Sequence, residues 1–132
     1  MKRILFCAAV LVLAIPAWAK TYHLSPSSSN PAAAGDVDVS TNKNGNVQVG
    51  IKTTHVAKAD LLTPPATAYV VWFEQEGSEP QNEGVLKIGD NLKGELKTTT
   101  PFHKFDVLIT IENDPMTKAP SDRILFQTRV QE

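Results

Sequence analysis

The sequence predicts an all-β domain, a two-sheet antiparallel β-sandwich of immunoglobulin-like type with about seven to eight strands. Residues 69–75 are apolar at both even and odd positions for five residues, which predicts a strand covered on both faces. Short runs that alternate between apolar and polar residues recur elsewhere and are separated by turn residues. The chain shows no convincing 3.6-residue apolar period, so helices are not expected to form its body.

Residues 1–19 predict a cleaved secretory signal peptide. A basic start precedes a twelve-residue apolar run at 4–15, and Ala17 and Ala19 place small side chains where a signal peptidase binds. We expect cleavage between Ala19 and Lys20 and export to the periplasm or the extracellular space. A retained membrane anchor is the weaker alternative, because the run is shorter than the roughly 18 to 20 residues that span a bilayer.

The remaining residues, 20–132, have the length of one domain with its own core. Without Lys2 and Arg3, eleven of the thirteen basic residues stand against fourteen acidic ones, a net charge near −3. This balance argues against nucleic acid or an anionic membrane surface as a partner. The single cysteine, Cys7, lies in the predicted signal, which excludes disulfides, thiol catalysis and Cys-based metal sites from the exported part.

The exported part begins with a short strand at residues 20–24. Residues 25–35 are rich in Ser, Pro, Ala and Gly without an apolar period, which predicts a linker or long loop. We therefore divide the chain into the signal, a strand and linker at 20–35, and a sandwich domain at 36–132.

A β-hairpin is predicted at the start of this domain. Residues 36–41 and 47–54 both alternate, and Asn44 and Gly45 between them tolerate the positive φ angles of a tight turn. One face of the hairpin is expected to be buried and the other exposed to solvent.

Residues 55–67 contain Pro64 and Pro65 and predict a crossover with at most one turn of helix. The strand that is apolar on both faces follows at 68–76. Four aromatic side chains are the expected core anchors, namely Trp72, Phe73, Phe105 and Phe126. The remaining predicted strands are 84–89, 93–100, 105–112 and 123–130.

The three histidines lack the i, i+2 or i, i+4 spacing that places two metal ligands together. They are His23, His55 and His103. A metal site would still form if distant residues met in space, and His103, Asp106 and Met116 flank the same predicted strand. A small periplasmic metal-binding protein is therefore one alternative function, although no metal ligand or cofactor is assigned.

Four carboxylates, Glu74, Glu76, Glu79 and Glu83, cluster around the turn after the central strand. A pair of acids in this region would suit an envelope hydrolase. Solvated acids are also the ordinary composition of such a turn. We expect no enzyme and assign no catalytic residue, with hydrolysis through a residue such as Glu76 kept as the second alternative.

Six short motifs occur in order over residues 68–130: YVVW at 69–72, GVL at 84–86, TP at 100–101, FDVLITIE at 105–112, APS at 119–121 and ILF at 124–126. In the order and spacing of these motifs, this part of the chain resembles the extracytoplasmic C-terminal domain of anti-sigma-K factors. The likeness implies an exported β-sandwich that senses or binds a component of the envelope. The transmembrane and sigma-binding parts of that family have no counterpart in this sequence, so the resemblance does not imply its regulatory output.

The function expected from these observations is that of an exported bacterial binding or sensing module without catalysis. Its expected partner is a protein or another envelope component, and the chain is not expected to span the membrane after signal cleavage. Exposed edge strands would also allow a homo-oligomer or the addition of a partner strand.

Overall fold

The computed structural model describes residues 19–28 and 30–131. Nearly all of the predicted signal peptide therefore lies outside the described residues. The regular elements are β1 (Lys20–Pro26), β2 (Ala34–Thr41), β3 (Val47–Thr54), a 3-10 turn (Ala59–Leu61), β4 (Ala68–Glu74), β5 (Gln81–Ile88), β6 (Gly94–Thr100), β7 (Lys104–Glu112) and β8 (Ile124–Gln131).

The eight strands form one closed antiparallel barrel in the order β1-β2-β3-β6-β5-β4-β7-β8. The prediction of an all-β domain is confirmed. The prediction of a two-sheet, immunoglobulin-like sandwich is wrong, because every strand in this order is hydrogen-bonded to a neighbour on each side and the ring closes between β8 and β1.

Closure depends on two strands that change partner along their length. β1 pairs with β2 over residues 20–24 and then with β8 at Ser25 and Pro26. β5 pairs with β4 over most of its length and then with β6 at Lys87 and Ile88. We call the β1–β8 and β5–β6 pairings the two seams, and each consists of two residue pairs. Because they are so short, the alternation of the sequence does not indicate that the barrel closes.

Gly94 allows the strands to approach closely at the β5–β6 seam. A β-carbon at this position would lie 2.5 Å from Thr53 Oγ1 and 2.8 Å from Ile88 Cδ1, closer than such atoms can pack. A larger residue would fit only if the Thr53 and Ile88 side chains moved. Gly94 therefore favours the close approach of the strands at this seam.

Two local predictions at the turns are confirmed. The β2–β3 hairpin turns through Gly45 at a φ of 79°, and Asn42 Oδ1 accepts hydrogen bonds from the backbone N–H groups of Asn44 and Asn46. The crossover at 55–67 contains only the single 3-10 turn. Asn and Gly appear at these positions because they tolerate such backbone angles and cap their own turns.

β4 is buried on both faces, as predicted. Tyr69, Val71 and Phe73 belong to the interior cluster of the barrel, and the Phe73 ring lies 4.6 Å from that of Phe105, centroid to centroid. Val70 and Trp72 alternate with them and so point to the outer face, yet both are fully buried. Trp72 is thus a buried anchor outside the barrel and not part of its interior.

The segment between β7 and β8, residues 113–123, covers this outer face and is called the cover segment below. Asn82 of β5 lies opposite Trp72 in the strand register. Its side-chain Nδ2 donates to the carbonyl of Pro115 at 3.0 Å and to that of Thr117 at 2.9 Å. These bonds hold the cover segment across β4, which explains how an outward side chain is shielded from water.

A chain of buried hydrogen bonds lies beneath the cover segment. Trp72 Nε1 donates to Thr110 Oγ1 at 2.8 Å, and that hydroxyl donates to Glu112 Oε2 at 2.5 Å. The same carboxylate oxygen accepts from the backbone N–H of Ser121 at 2.8 Å. Glu112 is only 8% exposed, so these donors replace the water that its carboxyl group loses.

Candidate functional site at the closed end of the barrel

Both seams lie towards the same end of the barrel, which we call the closed end. The seam residues of β1 and β5 are the last two residues of each strand. These strand ends lie beside the starts of β2 and β6. The β1–β2 connection, the 55–67 crossover and the cover segment all meet at this end. Loops on a rigid barrel are the usual place for a binding site.

A cavity of about 640 Å³ lies among these three connections. Its lining residues are Ser27, Asn30, Ala57, Leu62, Thr63, Ile111, Asp122, Arg123, Ile124 and Leu125. Its volume lies within the roughly 300 to 1,000 Å³ range of small-molecule sites. Five of these side chains are apolar and five are polar or charged, and Arg123 and Asp122 contribute one positive and one negative charge.

Arg123 is held in place through its backbone and its side chain. Its carbonyl accepts from the N–H of Ile111 at 2.9 Å, which extends the β7–β8 pairing beyond the start of β8. Its Nη2 donates to the carbonyl of Pro64 at 3.2 Å, so the guanidinium also contacts the crossover. The side chain is half-buried at the rim of the cavity.

Tyr69 fixes the crossover over the interior of the barrel. Its hydroxyl donates to the carbonyl of Ala57 at 2.6 Å. Burial raises the pKa of the Tyr69 hydroxyl above its usual range, while the positive charge of Arg123 acts in the opposite direction. The positive charge of Arg123 therefore lies close enough to the Tyr69 hydroxyl to affect its pKa.

A β-bulge directs Leu125 into the wall of the cavity. Ile109 is opposite Phe126, whereas Thr110 is opposite Ile124, so Leu125 is the extra residue on β8. Both Leu125 and Phe126 are buried, which ordinary alternation on a strand would not produce. The bulge thus places a buried leucine side chain in the wall beside Arg123.

This arrangement is suited to recognition. A guanidinium carries five N–H donors in a fixed plane and retains its charge throughout the physiological pH range. Apolar side chains beside it contribute area that a ligand can cover. The site combines the Arg123 guanidinium with apolar side chains on part of its wall, and small-molecule binding sites usually combine apolar surface with a few polar groups.

The histidines proposed as metal ligands are spread over the surface. His23 Nδ1 lies 2.5 Å from Asp36 Oδ1 on the outer face of β1 and β2. His55 is exposed at a φ of 57° just after β3, and His103 is exposed just before β7. The described part of the chain contains no group of three or more His, Cys, Asp or Glu residues placed to hold a metal ion.

The suggested cluster of His103, Asp106 and Met116 is not assembled either. Asp106 Oδ1 lies 3.8 Å from Arg129 Nε, while Met116 belongs to the cover segment after the opposite end of β7 and is 79% exposed. The metal alternative therefore has no assembled site among the residues named for it.

The acidic residues are arranged differently from the sequence expectation. Glu74 lies opposite Asp106 in the β4–β7 register, beside a groove of about 360 Å³. Glu76 and Glu79 are exposed in the turn. Glu83 is the extra residue of a bulge in β5, and burial raises the pKa of its carboxyl group. The turn carboxylates thus do not form one acid pair.

The sequence analysis missed Arg123 and Leu125. Arg123 is only the first residue of the last predicted strand, and an unbroken alternation in that strand would place Leu125 on the face opposite Ile124 and Phe126. The consecutive apolar residues at 124–126 are the one signal of a bulge, since a regular strand with one solvent face would alternate there. No pattern in the sequence predicts the contact between the Pro64 carbonyl and the Arg123 side chain.

No protein-family model, curated protein or solved structure matches this chain. Over residues 19–28 and 30–131, no helix has the length and apolar character needed to cross a membrane. The site is therefore interpreted from its own geometry.

Proposed function

We propose that this protein is an exported bacterial binding or sensing module, without catalysis, which recognises a component of the cell envelope at its closed end. The observation that carries the proposal is the half-buried Arg123 residue at the rim of a partly apolar cavity of about 640 Å³. The 55–67 crossover, which forms one side of this cavity, is held by hydrogen bonds from the Tyr69 and Arg123 side chains.

Export is supported by the features of residues 1–19 and by the resemblance of residues 68–130 to the extracytoplasmic domain of anti-sigma-K factors. Ala19 is exposed and precedes β1, which begins at Lys20. Cleavage between these two residues would leave β1 complete. The proposed product is thus a whole barrel with its binding end intact.

Hydrolysis is less well supported than binding. Glu74 and Asp106 are neighbours, but Asp106 is exposed and lies near Arg129, and Glu74 is partly exposed. A general acid needs surroundings that keep its carboxyl group protonated, usually an apolar pocket. The metal alternative lacks an assembled ligand set, so binding remains the leading proposal.

Backbone NMR of the ¹⁵N-labelled protein, titrated with fractions of a bacterial envelope extract, tests the proposal. We expect shifts in the amide signals of Ile111, Arg123 and Leu125, while those of Asn44 and Gly77 at the opposite end stay in place. Shifts confined to the opposite end, or none with any fraction, would contradict it. Substrate turnover that Glu74→Gln or Glu76→Gln abolishes without lowering the melting temperature would favour the hydrolase.

A further inference from the structure

The charge of Arg123 is not balanced by a carboxylate. Within the described ranges, no carboxylate oxygen lies within 4.0 Å of its guanidinium, whereas Arg129, the other described arginine, pairs with Asp106 at 3.8 Å. One N–H of Arg123 is used by the Pro64 carbonyl. The remaining N–H donors of the guanidinium fork leave room for a bidentate anion.

Part of the wall beside this charge is apolar. Leu62, Ile111, Ile124 and Leu125 line the cavity; the first three are partly exposed, whereas Leu125 is only 2% exposed and backs the wall from behind. A ligand with an aliphatic or aromatic arm would cover part of this surface and remove it from water. The neighbouring Asp122 is exposed, so solvent screens its charge more than that of the half-buried Arg123.

We infer that the cavity binds an amphipathic anion, an organic carboxylate attached to an apolar arm, with the carboxylate on Arg123 and the arm against Leu62 and Ile124. This inference rests on the proposed function and names its ligand class. A free fatty or aromatic acid and the C-terminal carboxylate of a peptide ending in an apolar residue share this chemistry.

The test uses the exported protein and a set of probes with the same arm. Octanoate, octanamide and octylamine are titrated separately while the amide signals of Ile111, Arg123 and Leu125 are followed by NMR. We expect octanoate to bind at the closed end at least about tenfold more tightly than octanamide, because a charge-assisted hydrogen bond is stronger than a neutral one. Octylamine should not bind there. Equal binding of octanoate and octanamide would overturn the inference.

Variants at the two arginines supply matched controls. Arg123→Gln should reduce octanoate affinity to that of octanamide, Arg123→Lys should keep part of the preference, and Arg129→Gln should leave it unchanged. Unaltered octanoate binding by a folded Arg123→Gln protein would contradict the inference. If that variant failed to fold, the comparison of octanoate with octanamide on the parent protein would still decide.

A second pair of probes separates the two sources of the carboxylate. The tetrapeptide Ala-Ala-Ala-Leu is compared with its C-terminal amide, so that only the carboxylate differs. Preference for the free peptide over octanoate would identify a chain terminus, and the reverse would identify a free acid. If the closed-end amide signals shift with envelope extract but with no carboxylate probe, the ligand class is wrong and the proposed function stands. If they shift with neither the extract nor a carboxylate, the proposed function is wrong as well.

Discussion

Two parts of the outer face of the barrel differ in solvent exposure, since one is open to water and the other is buried. On β1, β2, β3, β6 and β5, one row of residues runs across neighbouring strands with mostly alternating charge, namely His23, Asp36, Lys52, Glu95 and Lys87. This row faces water. On β4 and β7 the corresponding outer face carries Val70, Trp72 and Thr110, which are all fully buried.

The difference arises from what lies outside the strands. The charged face needs no cover, and its opposite charges stand beside one another across the sheet, which is favourable for adjacent strands. The apolar face is stable only because the cover segment packs over it and satisfies Glu112 beneath. β4 is therefore apolar on both faces because the cover segment lies over its outer face. A second sheet was expected in that position.

The largest expected effect is that of Trp72→Ala. It removes a large buried side chain under the cover segment and should cost about 3 to 5 kcal/mol in the free energy of unfolding. Urea denaturation followed by circular dichroism measures it. Lys52→Ala on the charged face is the control and should stay within about 0.5 kcal/mol. Similar losses from both variants would show that the two faces do not differ as described.

Glu112→Ala should have the next largest effect, about 2 to 3 kcal/mol. It leaves the Ser121 N–H and the Thr110 hydroxyl buried without their acceptor. Faster hydrogen exchange at Ser121 should accompany the loss in chemical denaturation. Glu95→Ala, which removes an exposed carboxylate from the charged face, is expected to cost little. Unchanged exchange at Ser121 would mean that Glu112 does not hold the cover segment.

Asn82→Ala should cost about 1 kcal/mol, because it removes the two hydrogen bonds to the cover segment from an exposed side chain. We expect faster limited proteolysis within residues 113–123, monitored by mass spectrometry. Gln48→Ala, an exposed amide on the charged face, should not change the cleavage pattern. Protection equal to that of the parent protein would argue against Asn82 as the attachment point.

The smallest expected effect is that of Glu83→Gln. Burial raises the folded-state pKa of this carboxyl group, so the native state favours its protonated form. The free energy of unfolding therefore falls as the pH rises through the raised pKa. Glu83→Gln should therefore increase stability at pH 7 by only about a few tenths of a kcal/mol, since solvent screens the partly exposed group. The gain should vanish below the ordinary value of 4.5. Thermal melts at pH 4 and pH 7 measure it, and a larger gain at pH 4 would reverse the assigned sign.

Much of the fold was predictable because strand periodicity reports directly on burial. The hairpin at Gly45, the crossover before Pro64 and the burial of Trp72 all followed from local patterns and are confirmed. The candidate site was not predictable, because the Arg123 side chain is held by a hydrogen bond to Pro64, fifty-nine residues away. Its apolar wall depends on a bulge that displaces Leu125, and only the pairing with β7 reveals that bulge.

The sequence by itself determined most of the strands, the buried face of the regular ones and the unusual double burial of β4. It could do so because a period of two assigns side chains to alternating faces wherever no bulge interrupts the strand. The tertiary structure decided which strands are neighbours, and two residue pairs at each seam turned the expected sandwich into a closed barrel. It also decided what covers Trp72 and what surrounds Arg123, because these contacts join residues whose separation along the chain carries no local signal.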